Sequence, residues 1–216
     1  MKPLVFLLCL LPVSAESLRY SINWASGLSL GEATLRSDKT KEAWDFEATV
    51  DASIPGFALR DSYRSDATTD LCSLELDKSF AHGNRQAAEK ITFDQQSHTA
   101  TRETQGGGKS DVPVTSCAKD ALTFLQFARN ELAQGRLTPQ QSVVFGALYN
   151  VRIDYKGVQK IKVGDQMTDA DRILATIKGP TTDLTVEMFF ARDAARTPLA
   201  AHIPLALGSF TVELIR

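Results

Sequence analysis

Along much of the chain apolar and polar residues alternate strictly, the period of a strand with one face buried. Leu18, Tyr20, Ile22 and Trp24 alternate with Arg19, Ser21 and Asn23, and Trp44, Phe46, Ala48 and Val50 alternate with Asp45, Glu47, Thr49 and Asp51. The pattern returns at Val151, Ile153 and Tyr155, at Leu184, Val186, Met188 and Phe190, and over the closing segment Gly208–Ile215. Turn formers punctuate these runs at Gly27, Pro55-Gly56, Gly83-Asn84, Gly157, Gly164-Asp165 and Gly179-Pro180, which predicts antiparallel hairpins and meanders. About ten to thirteen strands are expected from that spacing, and no helix-strand alternation argues for a parallel sheet. Asp45, Glu47 and Asp51 form a carboxylate ladder on the face away from the core, and alternation alone accounts for it.

One segment changes period. From Cys117 onward Ala121, Leu122, Leu125, Ala128 and Leu132 recur every three or four residues, which predicts a principal helix near 117–134 with Ser116 as N-cap and Gly135 past its end. Leu122, Phe124, Leu125 and Phe127 make this helix too apolar to leave in water. They are expected to face the concave side of a curved sheet and are the candidate ligand-facing side chains. The stretch before it, residues 104–115, contains Gly106-Gly107-Gly108-Lys109-Ser110 and reads as a flexible connector. Its likeness to a phosphate-binding loop fails, because the position of the motif's first glycine is Glu103 and no strand-loop-helix unit surrounds it. The fold class expected is therefore mainly β: one large curved antiparallel sheet, an open or half barrel, with one principal α-helix.

The N-terminus alters the compartment. MKPLVFLLCLLPVSA combines Lys2, an apolar run from Leu4 to Val13 and the small-residue site Val13-Ser14-Ala15, which predicts a secretory signal peptide over residues 1–15. The run is about ten residues, short of the roughly 20 that span a bilayer, so an exported, periplasmic or extracellular protein that does not span the membrane is expected. Cleavage after Ala15 leaves a single β-rich domain, 16–216, of 201 residues. It also removes Lys2, leaving 23 basic residues against 26 acidic ones, a balance that gives no electrostatic footprint for nucleic acid.

Chemistry-bearing motifs are sparse. His82, His98 and His202 have no second ligand at metal spacing, and there is no H-E-x-x-H, C-x-x-C or G-x-S-x-G, so no catalytic, metal or cofactor residue is assigned. Two cysteines remain after loss of Cys9. Cys117 at a helix start could be a thiolate nucleophile, yet an even pair in an oxidising compartment reads most simply as a Cys72–Cys117 disulfide. Closing that loop is worth about 4 kcal/mol in the chain-entropy description.

Three features in order resemble a known family: Tyr20-Ser-Ile-Asn-Trp24 with Gly31-Glu-Ala-Thr-Leu35, the helix Asp120-Ala-Leu-Thr-Phe-Leu-Gln-Phe-Ala-Arg129 followed by Gly135, and Phe190-Ala-Arg-Asp193-Ala-Ala-Arg-Thr-Pro198 with Leu207-Gly-Ser-Phe-Thr-Val-Glu-Leu214. They are similar to the bacterial exported proteins grouped as domain of unknown function 3108 (DUF3108). The resemblance implies an envelope protein with a large curved antiparallel sheet, broadly like the periplasmic lipoprotein carriers, and brings no catalytic residue with it. The function expected is non-enzymatic binding of a lipid or other amphipathic ligand, or of an envelope partner, on the curved sheet. The alternatives are an envelope enzyme acting on glycan or peptidoglycan and a structural or assembly protein using a strand edge.

Overall fold

The computed structural model describes residues 14–54, 56–205 and 208–215; most of the predicted signal peptide, residues 1–13, lies outside them. Fifteen strands and one helix are present among the described residues. Strands β1 (Ser14–Trp24), β2 (Ser29–Lys39), β3 (Ala43–Ile54), β4 (Phe57–Thr68), β5 (Ser73–His82), β6 (Arg85–Asp94), β7 (Thr99–Thr104) and β8 (Lys109–Pro113) form an antiparallel meander. After β9 (Lys119–Asp120) and α1 (Ala121–Ala133) a second meander follows: β10 (Gln141–Val144), β11 (Leu148–Val163), β12 (Gln166–Lys178), β13 (Asp183–Ala191), β14 (Pro198–Leu205) and β15 (Gly208–Leu214). The two join where β1 pairs β15, with Tyr20 opposite Leu214 and Trp24 opposite Phe210, to give one sheet. Every pairing is antiparallel except the short β9–β10 contact, in line with the expected absence of a parallel sheet.

Three local readings are corrected. The connector at 104–115 is largely the β7–β8 hairpin, whose polar and glycine-rich sequence conceals an exposed edge strand, and this raises the strand count above the expected range. Gly157 lies inside β11 at a shift of register between Tyr155 and Val158; its φ of 100° serves a bulge, not a turn. The helix starts later than the residue spacing suggests: Asp120, not Ser116, is the N-cap, and Cys117 sits in the preceding loop. Gly135 closes it in a Schellman arrangement, its N–H on Leu132 O (3.0 Å) and that of Arg136 on Glu131 O (2.9 Å), with the φ of 72° that favours glycine.

The sheet curls until its two ends meet. Ser73 N donates to Ala118 O (2.9 Å), and the Gln95 side chain bridges the gap by donating to Ser73 O (2.6 Å) and accepting from Ala118 N (3.0 Å). Leu76, Ile91, Phe93 and Ala100 from one end then pack with Ala118 and Val144 from the other. Farther along the seam the turn after β10 lays the Phe145 ring against Tyr63 (5.2 Å between centroids) and under the Lys78 ammonium (4.4 Å). Lys78 and Arg102 both pair with the nearly buried Glu89, whose carboxyl the Arg102 bond holds below its ordinary range. The outcome is a barrel-like sheet, still unpaired between the short edges β8 and β9, with α1 lying against its concave face.

Candidate functional site

The helix is fixed at both ends by polar groups that a periodicity reading treats as neutral. At its start Asp120 is fully buried. Its Oδ1 accepts from Leu122 N (2.8 Å) and Thr123 N (3.1 Å), while Oδ2 accepts from the hydroxyls of Ser65 (2.6 Å), Ser73 (2.6 Å) and Thr123 (2.8 Å). One carboxylate thus caps the helix and ties it to β4 and β5. Beside it Cys72 and Cys117 form the expected disulfide, a second tie to the start of β5. Near its other end Arg129, only 3% exposed, holds Glu16 of β1 bidentately (2.7 and 2.8 Å) and donates from Nε to the carbonyls of Ala195 (3.0 Å) and Arg196 (3.2 Å).

Held this way, α1 leans to one side of the concavity. Leu122 and Phe127 pack on Trp44, Phe46 and Leu71 of the first meander. Lys119 lies over the Phe127 ring (4.6 Å) with its ammonium on Cys117 O (3.0 Å), and burial pushes its pKa down. On the opposite side Phe124 packs on Val143 and Val151 and Leu132 on Ile173 and Phe190 of the second meander, but the contact is incomplete. A cavity of about 500 Å³ remains, walled by Leu122, Phe124, Leu125, Ala128 and Leu132 from the helix, Val151 and Ile153 from β11, Ile173, Ala175 and Ile177 from β12, and Leu184, Met188 and Phe190 from β13. Ala128 and Ala175 leave the room that larger side chains would fill. Of the four helix residues singled out from the sequence, Leu122, Phe124 and Leu125 reach this cavity; Phe127 does not line it and packs instead against the Trp44–Phe46 cluster and the Phe124–Val143–Val151 cluster.

Other polar groupings lie elsewhere on the sheet. Asp61 accepts from the Tyr63 hydroxyl (2.9 Å) and stands 2.7 Å from His82 Nε2, with the Phe57 and Phe80 rings 6.2 and 5.2 Å from the imidazole. Burial, and then the bond to Asp61, push the Tyr63 phenol up. His202 bonds through Nδ1 to Glu187 (2.8 Å) with its ring at the edge of Phe189. His98 falls in a turn at φ 53°. No group of three or more His, Cys, Asp or Glu side chains placed to hold a metal occurs among the described residues. None of the described helices is long and apolar enough to cross a membrane.

Fold and cavity together define a class of protein: a barrel-like antiparallel sheet wrapped on a single helix, with an apolar chamber between them. Residues 19–215 match the family described as "Protein of unknown function (DUF3108)", and the chain belongs to that family. No curated protein matches it. The crystal structure of a beta-barrel-like protein of domain of unknown function DUF1849 from Brucella abortus superposes with a TM-score of 0.65 at 5% identity, over 94% of this chain and 96% of that one, a likeness of fold alone. The Mycobacterium tuberculosis lipoprotein LppX aligns over 92% of this chain and 84% of that one, with 12% identity and a TM-score of 0.30.

Proposed function

We propose that this is an exported envelope protein that binds a hydrophobic or amphipathic ligand, without catalysis, in the chamber between α1 and strands β11–β13. The single observation that carries the reading is the cavity of about 500 Å³ with an almost wholly apolar wall, within the roughly 300–1,000 Å³ typical of small-molecule sites. The pocket is partly open, so its apolar wall faces water when nothing is bound, and an apolar occupant would cover that surface. The ties at Asp120, Cys117 and Arg129 fit the same purpose, since they fix both ends of the helix that forms one wall of the chamber. Export rests on the signal-like residues 1–15 and on the disulfide, which belongs to oxidising compartments.

The test is native mass spectrometry of the purified protein after incubation with a bacterial lipid extract. Wild type should carry discrete ligand masses. Ala175→Phe, which fills the chamber, should lose them with no fall in melting temperature. Wild type without adducts would overturn the reading. The competing glycan- or peptidoglycan-acting enzyme is favoured by one arrangement, the Tyr63–Asp61–His82 chain flanked by Phe57 and Phe80. Release of soluble fragments from peptidoglycan by wild type but not by Asp61→Asn would establish it in place of the binding function.

A further inference from the structure

We infer that the occupant of the chamber is an amphiphile with an anionic head, a carboxylate or a phosphate, held by the guanidinium groups of Arg136, Arg192 and Arg196 just beyond the C-terminal end of α1. The inference rests on the chamber reading above and names the chemistry of its ligand. Leu132 and Leu137 line both the apolar chamber and an adjoining basin of about 430 Å³, whose other walls include the three arginines, Tyr155 and Asp171. An apolar chain in the chamber therefore places its polar end beside these cations.

The charges in the basin do not cancel. Arg136 holds Glu131 bidentately (2.7 and 2.8 Å), while Arg192 and Arg196 share one carboxylate, Asp171, at 3.6 and 2.5 Å. Three guanidiniums thus meet two carboxylates. Asp193, the nearby acid on the same turn, is committed to Thr197 N and Oγ1 (3.0 and 2.8 Å) and does not line the basin. The neighbouring Arg129 is likewise matched by Glu16.

Two buried polar atoms in these walls have no hydrogen-bond partner among the described residues: Arg196 Nε, and Thr138 Oγ1 in the chamber wall next to Leu137. Both atoms are closed off from water, so a head group in the basin would meet instead the more exposed guanidinium ends of Arg136 and Arg192. Arg196 is held at φ 49°, a conformation non-glycine residues seldom adopt, in the turn that aims its guanidinium at Asp171. A planar guanidinium fork suits the two oxygens of a carboxylate or phosphate.

The test uses four amphiphiles with the same chain: palmitate, hexadecyl phosphate, hexadecanol and hexadecylamine. Each displaces the neutral fluorescent probe phenylnaphthylamine from the full exported protein at low salt. Both anions should bind at least about tenfold more tightly than hexadecanol, with hexadecylamine weakest, the scale of charge-assisted hydrogen bonds. The preference should shrink in high salt, because the side chains of Arg136 and Arg192 are 56% and 54% exposed. In Arg136→Gln/Arg192→Gln the affinity for hexadecanol should be unchanged while the preference for the anions falls below about threefold; Arg192→Gln alone should give an intermediate loss. Equal binding of palmitate and hexadecanol by wild type, or a preference surviving in the double variant, overturns the head-group assignment and leaves the chamber standing. Binding of none of the four overturns both.

Discussion

Replacing Asp120 with alanine should cost about 4 kcal/mol, although the side chain is not part of the chamber wall. Removal strips the helix of its N-cap, worth about 1 kcal/mol, by leaving Leu122 N and Thr123 N without an acceptor. It also takes the acceptor from three hydroxyls, those of Ser65, Ser73 and Thr123, all fully buried. Ser65 and Thr123 stand 3.1 Å apart and can satisfy one donor between themselves. Two donors remain orphaned, at about 1.5 kcal/mol each. Against a typical domain stability of about 5–15 kcal/mol the variant should still fold. The assay is equilibrium denaturation by urea, followed by tryptophan fluorescence with the disulfide intact. A double-mutant cycle with Ser73→Ala separates the carboxylate from the rest: in wild type Ser73 Oγ both donates to the carboxylate and accepts from Asp120 N (2.8 Å), so the serine change should cost about 2–3 kcal/mol, falling to about 1 kcal/mol once Asp120 is alanine and only the backbone bond remains to be lost. A loss below about 1 kcal/mol for the alanine variant, or a serine cost equal in both backgrounds, would refute the account of Asp120 as the shared acceptor.

Two further outcomes follow from the same region. Cys72→Ser/Cys117→Ser should lower stability by about 2–4 kcal/mol, and reductant should bring wild type to the same urea midpoint; a midpoint that ignores reductant would show the bridge to be energetically idle. Lys119 is 5% exposed, its ammonium forms no salt bridge to a carboxylate among the described residues, and burial lowers its pKa from 10.5. Below 10.5 and above the folded value the unfolded chain therefore binds more protons than the folded one, so wild-type stability should rise with pH across that window while Lys119→Met lacks the slope, and parallel pH profiles for the two proteins would contradict this.

The strands and the seam differ in how much of them the sequence reveals. Alternation at residues such as Trp44, Phe46, Leu184 and Met188 marks a two-sided sheet directly, because a strand's period is fixed by its backbone and holds wherever one face is buried. The edge strand β8 escapes that test, since an edge strand buries little and so has no reason to alternate; its pattern is nearly all exposed. The same limit applies to Gly157, where a bulge and a turn ask for the same positive φ and only the partner strand tells them apart. The disulfide was legible for a different reason, that counting cysteines needs no geometry.

The residues that shape the chamber are the least visible in the sequence because their roles depend on distance along the chain. Asp120 and Arg129 look like ordinary polar positions on an amphipathic helix, and their partners lie 47 and 113 residues away, at Ser73 and Glu16. The sequence does carry one signal: Asp120 followed by Thr123 is a sound N-cap spacing that competes well with Ser116. The helix was legible as apolar, yet apolarity cannot say which neighbour it meets. Leu122, Phe124 and Leu125 reach the chamber and Phe127 does not because the polar ties at both ends set the rotation and lean of α1. On the proposed reading these buried polar groups act through position: weakening Asp120 or Arg129 should loosen one end of the helix that walls the chamber, so ligand affinity should fall in these variants even where the apolar wall is untouched, and an affinity unchanged in both would show that the ties do not shape the site.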